Sequence, residues 1–296
     1  MKRLKIPWFF LTIHVLILLS ACGPLGPNEA GAPVETIVIK GSDTMVNLAL
    51  GWAEAYQKNH PEVELAVSGG GSGTGIAALI NNSVDIANAS RRIKEEEIAD
   101  AEAKGVKPVE YIVARDAIGI IVHPSNPISD LTLQQLSDIY SGKINNWREL
   151  GGDDRPIVKL SRESNSGTHV YFLEEVVRLG DKENKTLFSP TTLLLPSSEG
   201  IVNEVRQNPN AIGYDGLGYI PDDLKIIAVA GKPGDAYVLP SIETVNNKSY
   251  PIARDLYIYT PGEPAGSVKA YIEWILGDEA QNIVAEQGFV PIKQIP

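Results

Sequence analysis

From residue 35 onward, apolar positions alternate along the chain between the period of a strand and the period of a helix. Residues 36–40 (TIVIK) form a β-branched run that predicts a strand, and residues 44–57 carry apolar side chains at helical spacing. The same alternation predicts strands at residues 64–67 and 84–89 and helices at residues 76–80 and 93–103. Strands and helices in turn, with glycine-rich segments between them, are typical of an α/β fold with a largely parallel sheet.

Two long apolar strands stand out because each contains an Arg-Asp pair. They are residues 111–122, with the pair at 115–116, and residues 250–259, with the pair at 254–255, about 140 residues further on. We interpret them as crossover strands that join two lobes, of which the first is discontinuous. The alternative is that both are ordinary strands of one large sheet. The predicted boundaries are residues 35–114 plus 255–296 for lobe one and residues 115–254 for lobe two.

The N-terminal residues have the pattern of a secretory signal. A basic start, MKRLK, precedes an apolar run of about fourteen residues (6–19), shorter than the roughly twenty that span a membrane. The run ends in LSAC, which resembles the lipobox of bacterial lipoproteins, where the signal is cleaved before an acylated cysteine. We therefore predict a signal peptide at residues 1–21, a lipid on Cys22 and a flexible Gly/Pro-rich tether at residues 22–34. The alternative is a free cysteine that follows a signal or anchor helix.

Composition and charge narrow the possible functions. The 296 residues are 43% hydrophobic, which indicates a globular protein long enough for about two domains. Loss of Lys2, Arg3 and Lys5 with the signal would lower the basic residues from 26 to 23, against 37 acidic residues. Such an acidic chain lacks the basic surface of a nucleic-acid binder, so lipid rather than charge would hold it at a membrane. With one cysteine and four scattered histidines, the sequence predicts no internal disulfide, no metal site and no cofactor.

Polar, glycine-rich turns follow several predicted strands and carry the candidate chemistry. They are residues 41–45 (GSDTM), 69–75 (GGGSGTG), 89–91 (ASR) and 161–168 (SRESNSGT). The carboxyl ends of strands are where open α/β sheets bind ligands, and helix N-termini offer free N–H groups and partial positive charge. Glycine permits close approach of the backbone, while hydroxyls and arginine add hydrogen-bond donors. Together the turns predict an oxyanion site, although each one alone could be only a helix N-cap.

Other known motifs do not fit these turns. Residues 69–75 lack the Gly-Lys-Ser/Thr of a P-loop, have the wrong spacing for a dinucleotide fingerprint, and carry Thr74 where the hydrolase elbow requires glycine. His169 is interpreted as a lone surface histidine. A secreted phosphatase or serine hydrolase using Ser72 or Ser166 is an alternative, but it lacks an evident base and a metal cluster. We therefore predict that the protein is not an enzyme.

Seven segments in order resemble the phosphate-binding proteins of bacterial phosphate ABC importers, a group with the type II periplasmic-binding-protein fold. The resemblance covers nearly all of residues 36–294. Any one segment is weak evidence, whereas their order and spacing together are specific, and the resemblance implies the same two-lobed fold that the crossover strands predict. The segments are GSDTM (41–45), SGGGSGTGI (68–76), VDIANASR (84–91), LSDIYSGKINNW (136–147), SRESNSGT (161–168), AIGY (211–214) and QNIVAEQGFVPI (281–292).

The resemblance also implies which residues contact the anion. Some family members have an aspartate at the position of Arg91, and that aspartate accepts the proton of hydrogen phosphate. Asp43 is the nearest acid in sequence, so we predict that Asp43 selects phosphate over sulfate; the alternative is that it only caps the following helix. The full set of predicted phosphate-binding residues is Ser42, Asp43, Thr44, Met45, Ser72, Ser90, Arg91, Arg162, Ser166, Gly167 and Thr168.

The predicted function is that of an extracytoplasmic solute-binding lipoprotein at the cell membrane. It would bind inorganic phosphate between its lobes, as a monomer, and deliver it to the permease subunits of an ABC transporter. The alternatives among binding proteins are a receptor for sulfate, molybdate or tungstate, and a lipoprotein with a sensing or adhesive role.

Overall fold

A computed structural model describes residues 34–293 of the chain. The predicted signal peptide, Cys22 and the tether up to residue 33 lie outside the described residues. The first strand begins at Glu35. Among the residues described, no helix is both long enough and apolar enough to cross a membrane.

Strands and helices alternate along most of the chain, as the periodicity predicts. The strands are β1 (Glu35–Gly41), β2 (Val63–Ser68), β3 (Ile86–Ala89), β4 (Val109–Val122), β5 (Asp130–Thr132), β6 (Val158–Arg162), β7 (Leu193–Leu195), β8 (Ala211–Gly216), β9 (Lys225–Ala230) and β10 (Ala253–Thr260). The α-helices are α1 (Val46–Asn59), α2 (Ser72–Ile80), α3 (Glu95–Ala103), α4 (Leu133–Tyr140), α5 (Gly167–Phe172), α6 (Ser198–Gln207), α7 (Ile242–Asn246), α8 (Gly266–Ile275) and α9 (Asp278–Glu286). A π-helical segment, Leu173–Val177, continues α5.

The sheet is mixed rather than largely parallel, which differs from the sequence expectation. Its main strands follow the order β2-β1-β3-β10-β4-β8-β6-β7, with β9 beside β4 and β5 beside β9. Within each half, β1 is parallel to β2 and β3, and β6 is parallel to β7 and β8. The central strands β10 and β4 are antiparallel to each other and to their outer neighbours, because the chain passes between the halves along them in opposite directions.

β4 joins the two halves of the sheet. Its residues 109–117 pair with β10, whereas its residues 118–122 pair with β8 and β9. β10 runs back beside it and pairs with both β4 and β3. These are the two long strands singled out in the sequence, and the predicted two-lobed α/β architecture with two crossover strands is confirmed.

Each half has its own hydrophobic core. In the first half, Ile37 of β1 and Trp52 of α1 pack in one cluster with Val284 of α9, so the C-terminal helices belong to the lobe that the N-terminal strands form. In the second half, Tyr140 of α4 and Tyr214 of β8 lie in a separate cluster. Burial of each such side chain stabilises the fold by roughly 1.5–3 kcal/mol. Separate apolar clusters on the two sides of the crossover strands leave the junction between the lobes free for polar residues.

Candidate functional site

The first turn places hydroxyl groups at the edge of the sheet, where the parallel strands β1, β2 and β3 end. Gly41 closes β1 with a φ of +146°, and a side chain there would overlap the carbonyl of Asn88 on β3. The amide of the next residue, Ser42, donates to that same carbonyl at 2.9 Å. This close approach buries Ser42 and Thr44, which are 2% and 1% exposed. Within residues 34–293, the Ser42 hydroxyl has no hydrogen-bond partner.

The second turn is tied to the turn after β3 through two serines. Gly71 has a φ of +89°, and α2 begins directly after it at Ser72, four residues before the predicted helix start. The Ser72 hydroxyl accepts from the amide of Ser90 at 2.9 Å and lies 3.2 Å from the Ser90 hydroxyl. Both serines are buried. The N-terminus of α2 therefore lies beside the end of β3.

The second lobe contributes the turn that follows β6. Ser166 caps α5, since its hydroxyl accepts from the amide of Thr168 at 3.2 Å. The Thr168 hydroxyl lies 2.9 Å from the hydroxyl of Thr44 in the first lobe. A Cβ atom at Gly167 would meet the hydroxyls of Ser72 and Ser90, so only glycine permits this approach of the two lobes. We call Thr44, Ser72, Ser90 and Thr168 the hydroxyl cluster.

Arg254 on β10 lies against the hydroxyl cluster, although it is not among the site residues predicted from the sequence. Its Nη2 donates to the Thr168 hydroxyl at 3.0 Å and lies 3.4 Å from that of Thr44, and its Nη1 donates to the Ser90 carbonyl at 2.9 Å. The residue is 6% exposed. The crossover strand β10 thus adds guanidinium N–H donors to the hydroxyl and amide donors of the turns.

Arg162, predicted as a site residue, is also buried between the lobes. It is 1% exposed, and its guanidinium donates to the Ser198 hydroxyl at 3.0 Å and the Pro196 carbonyl at 2.8 Å. Its Nη2 forms an ion pair with the carboxylate of Asp43 at 2.6 Å. The two lobes therefore meet in a direct ion pair at the edge of the site.

The contacts of Asp43 differ from the predicted role as acceptor of a ligand proton. One of its carboxylate oxygens accepts from the amide of Gly70 at 2.9 Å, and the other accepts from Arg162. It does not cap the following helix either, because Ser42 occupies the N-cap position. Both oxygens are used by the protein, so Asp43 joins the first two turns to Arg162.

The side chain of Arg91 is directed away from the hydroxyl cluster, in contrast to the expected contact with the anion. Its two Nη atoms donate to the two carboxylate oxygens of Glu97 on α3, at 2.8 and 2.6 Å, and Nη1 also donates to the Arg92 carbonyl. A bidentate pair of this geometry outcompetes a single contact to a more distant group. In this turn it is the preceding residue, Ser90, whose side chain belongs to the hydroxyl cluster.

Asp215 at the end of β8 is a buried acid that the sequence did not single out. One carboxylate oxygen accepts from the hydroxyl of Ser198, the same hydroxyl that accepts from Arg162. The other oxygen is buried and has no hydrogen-bond partner among residues 34–293. Burial raises the pKa of Asp215 to about 6, against the opposing effect of Arg162. The AIGY segment ends one residue before this acid, which is the signal available in the sequence.

The structure offers no catalytic arrangement at the two serines considered as nucleophiles. Over the described part of the chain, the hydroxyl of Ser72 forms hydrogen bonds only with Ser90, and the hydroxyl of Ser166 forms one only with the amide of Thr168. His169 is not a lone surface residue as expected, because it is half-buried and its Nδ1 lies 3.0 Å from the hydroxyl of Ser161. No three His, Cys, Asp or Glu side chains of the described residues are grouped as metal ligands.

The arrangement is suited to a small oxyanion. Four hydroxyls, the N-termini of α2 and α5 and two guanidinium groups lie together where the lobes meet. Hydroxyls and N–H groups donate hydrogen bonds to anionic oxygens, and in a buried position these contacts are stronger than in water.

Comparison with known proteins agrees with this geometry. The chain matches the PBP superfamily domain over residues 26–279. It is 35% identical over 269 residues to phosphate-binding protein PstS of Pseudomonas aeruginosa, which covers 85% of this chain and 81% of that protein. An alignment of 304 positions with phosphate-binding protein PstS of Bacillus subtilis has 29% identity and covers 99% of this chain and 95% of that protein.

Solved structures give the same result. A phosphate ABC transporter substrate-binding protein from Clostridium perfringens with bound phosphate has a TM-score of 0.77 and 35% identity, covering 88% of this chain and all of that one. An ABC-type phosphate transport receptor from Vibrio cholerae has a TM-score of 0.69 and 28% identity, covering 87% of this chain. The resemblance noted in the sequence is confirmed. This chain therefore belongs to the PBP superfamily and, within it, to the phosphate-binding proteins of ABC transporters.

Proposed function

We propose that this protein captures inorganic phosphate between its two lobes and delivers it to the permease of an ABC transporter. The observation that carries the proposal is the hydroxyl cluster, to which both lobes contribute and against which Arg254 lies. The names of the relatives, which are binding proteins rather than enzymes, support phosphate as the ligand.

The proposed contacts combine hydroxyls, amides and guanidinium groups. Binding would turn the hydroxyls of Thr44 and Thr168 from each other toward the anion. Charge-assisted hydrogen bonds contribute about 1.5–3 kcal/mol each, so several of them reach the roughly −8 kcal/mol of micromolar binding after the costs of closure. The proposed phosphate ligands are Ser42, Thr44, the Met45 amide, Ser72, Ser90, Arg162, Ser166, Gly167, Thr168 and, in place of the Arg91 side chain, Arg254.

Release of phosphate would require the lobes to separate by a hinge motion along the crossover strands. The contacts to be broken include the pair between Arg162 and Asp43 and the bond from the Gly73 amide to the Asn165 carbonyl at 3.0 Å. The proposed lobe boundaries are residues 35–114 plus 255–296 and residues 115–254. The change of partner strand within β4 falls after Ala117, close to the proposed boundary at residue 115, and supports a division in this part of the strand.

Titration calorimetry against phosphate, sulfate, molybdate and tungstate tests the ligand. Phosphate is expected to bind with micromolar or better affinity and each other anion at least about tenfold more weakly. Thr168→Val removes one hydroxyl of the cluster without changing the side-chain shape and should weaken phosphate binding. Thr186→Val is the matched control, because its hydroxyl makes no hydrogen bond among the described residues. Tighter binding of another anion than of phosphate would assign the receptor to that anion.

The same proposal includes a lipid anchor on the outer face of the cell membrane. It rests on the single cysteine, Cys22, which directly follows the signal-like residues 1–21. Mass spectrometry of the mature protein should find Cys22 as an acylated N-terminal residue, and Cys22→Ala should release the protein from membranes or leave the signal uncleaved. A soluble wild-type protein with another N-terminus would contradict the anchor. We propose that the protein acts as a monomer, which sedimentation of the purified protein tests.

A further inference from the structure

A groove of about 860 Å³ lies along the crossover strands, next to the hydroxyl cluster but separate from it. We call it the crossover groove. One side is the segment after β3, with Arg92 and Lys94, and the other is formed by α5 and its π-helical extension, with Tyr171. None of the four members of the hydroxyl cluster is among the residues that line it. Its volume is in the range of sites for small organic molecules, about 300–1,000 Å³.

The lining of the crossover groove is rich in cations although the whole chain has a net charge of −11. Six arginine and lysine residues line it, against three acids, Glu174, Glu175 and Asp255. Such a concentration of positive charge in a cleft attracts anions even when the net charge of the protein is negative.

Part of this positive charge is left without a close acidic partner. Arg91, Arg92 and Arg254 are paired with acids at 2.6–2.9 Å. By contrast, the Arg115 guanidinium donates to the neutral side chain of Asn246 at 3.0 Å and is 4.0 Å from Asp255, and among residues 34–293 no acidic oxygen lies within 4.0 Å of the Lys248 amine. Lys248 and Arg115 are therefore the cationic side chains available to bind an additional anion.

The groove also offers an aromatic surface and hydrogen-bond acceptors. The Arg254 guanidinium carbon lies 5.6 Å from the centre of the Tyr171 ring, and Tyr257 lines the groove near it. Glu174 and Glu175, on the π-helical extension that follows Tyr171, can accept from hydroxyl groups. A ligand with an anionic group, hydroxyls and a flat ring would match the cations, acids and tyrosines together.

We propose that the crossover groove binds an organic phosphate monoester that carries hydroxyl groups and a ring, at a site distinct from the inorganic-phosphate site. Its phosphate would contact Lys248 and Arg115, and its ring would lie against the tyrosines. Arg254 separates the two sites, because it lines the groove while its Nη2 donates to Thr168 of the hydroxyl cluster. The proposal goes beyond the capture of inorganic phosphate and does not depend on it.

Titration of the full chain with AMP, in the presence of saturating inorganic phosphate, tests this proposal. Saturation occupies the first site and removes any effect of free phosphate in the AMP. AMP is expected to bind at one site with a dissociation constant on the order of 0.1 mM, and adenosine, which lacks the charge, should bind far more weakly. Added salt should weaken AMP binding because the cations are partly exposed.

Two variants separate the groove from the general surface charge. Lys248→Gln should weaken AMP binding by about fivefold, a change typical of the loss of one partly exposed charge. Lys232→Gln is the control, because Lys232 is exposed and does not line the groove, and it should leave AMP binding unchanged. Both variants should keep the affinity of the wild type for inorganic phosphate, measured without AMP.

Three results would overturn the proposal. They are the absence of AMP binding in the millimolar range, displacement of inorganic phosphate by AMP, and equal effects of the Lys248 and Lys232 substitutions. Displacement would mean that the groove is only an approach to the first site. Because inorganic phosphate is titrated separately on the same proteins, failure of the groove and failure of the proposed function remain distinguishable.

Discussion

Arg254 and Asp116 lie directly opposite each other on the two crossover strands, and their side chains form a buried ion pair at 2.9 Å. The carboxylate of Asp116 also accepts from the amide of Leu217, which directly follows β8 in the second lobe. The pair therefore fixes Arg254 against the hydroxyl cluster and connects the site to the two strands that join the lobes.

We predict that loss of Arg254 affects stability and phosphate affinity through separate causes. Arg254→Gln leaves the Asp116 carboxylate buried without its cation, which should lower the free energy of unfolding by about 3–5 kcal/mol. It also removes donors from the site, so phosphate affinity should fall at least about tenfold. Urea unfolding and calorimetry measure the two effects.

The double variant Arg254→Gln/Asp116→Asn separates these causes. The neutral Asn removes the uncompensated buried charge, so much of the lost stability should return while phosphate affinity stays low. Phosphate affinity of the double variant within about threefold of the wild type would show that Arg254 does not act on the anion.

We predict contrasting effects for substitutions of Arg162 and Arg91. Arg162→Gln should reduce phosphate affinity by an amount equivalent to about 2–5 kcal/mol, because Arg162 is buried between the lobes beside the site. Arg91→Gln should cost about 1–3 kcal/mol of folding stability through loss of its bonds to Glu97, with little effect on affinity. If Arg91→Gln weakened phosphate binding as much as Arg162→Gln, the Arg91 side chain would have to leave Glu97 for the anion.

The contrast between these two arginines shows what the sequence could and could not predict. The turn that contains Arg162 and Thr168 was singled out from its residues, because several polar, glycine-rich turns at strand ends together predict an oxyanion site, although each alone could be only a helix N-cap. The side-chain direction of Arg91 depends on Glu97, which α3 brings within reach only after the chain has turned. The location of these residues at the ends of strands was therefore predictable, whereas the choice of the Arg91 side chain between Glu97 and an anion was not.

Arg254 was missed for a different reason. Both Arg-Asp pairs were evident in the sequence, but their contact depends on the register of two strands about 140 residues apart. In the observed register Arg254 faces Asp116 in the interior, and Asp255 faces Arg115, with its side chain 37% exposed, on the other side of the sheet. One register step would reverse which pair is buried, and no local pattern fixes that step.

The selectivity for phosphate over sulfate gives a third prediction. Asp43→Asn should leave the ratio of the two affinities unchanged within about threefold, because both oxygens of the Asp43 carboxylate are already used by Gly70 and Arg162. Both anions should bind somewhat more tightly, since a negative charge beside the site is removed. Calorimetry with each anion gives the ratio, and a marked fall in it would restore Asp43 as the acceptor of the phosphate proton.

The buried carboxyl of Asp215 gives a prediction about pH. Burial raises its pKa to about 6 in the folded protein, with Arg162 opposing and Asp116 adding to the rise, whereas the ordinary value is about 3.9. Between these values the folded protein holds a proton that the unfolded chain has lost. The contribution of Asp215 to the free energy of unfolding should therefore fall by no more than about 3 kcal/mol as the pH rises from about 4 to about 6. Above about pH 6 it should stay constant.

Urea unfolding of the wild type and of Asp215→Asn at a series of pH values between about 4 and 7 measures this contribution. Asn keeps an oxygen that can accept from Ser198 and from the amide of Gly216, but it does not titrate. The stability of the wild type relative to the variant should thus decrease across this range. Asp222→Asn is the control, because Asp222 is exposed in the loop before β9, and its curve should run parallel to that of the wild type. Parallel curves for Asp215→Asn as well would mean that Asp215 is ionised in the folded protein throughout, with Arg162 compensating its burial in full.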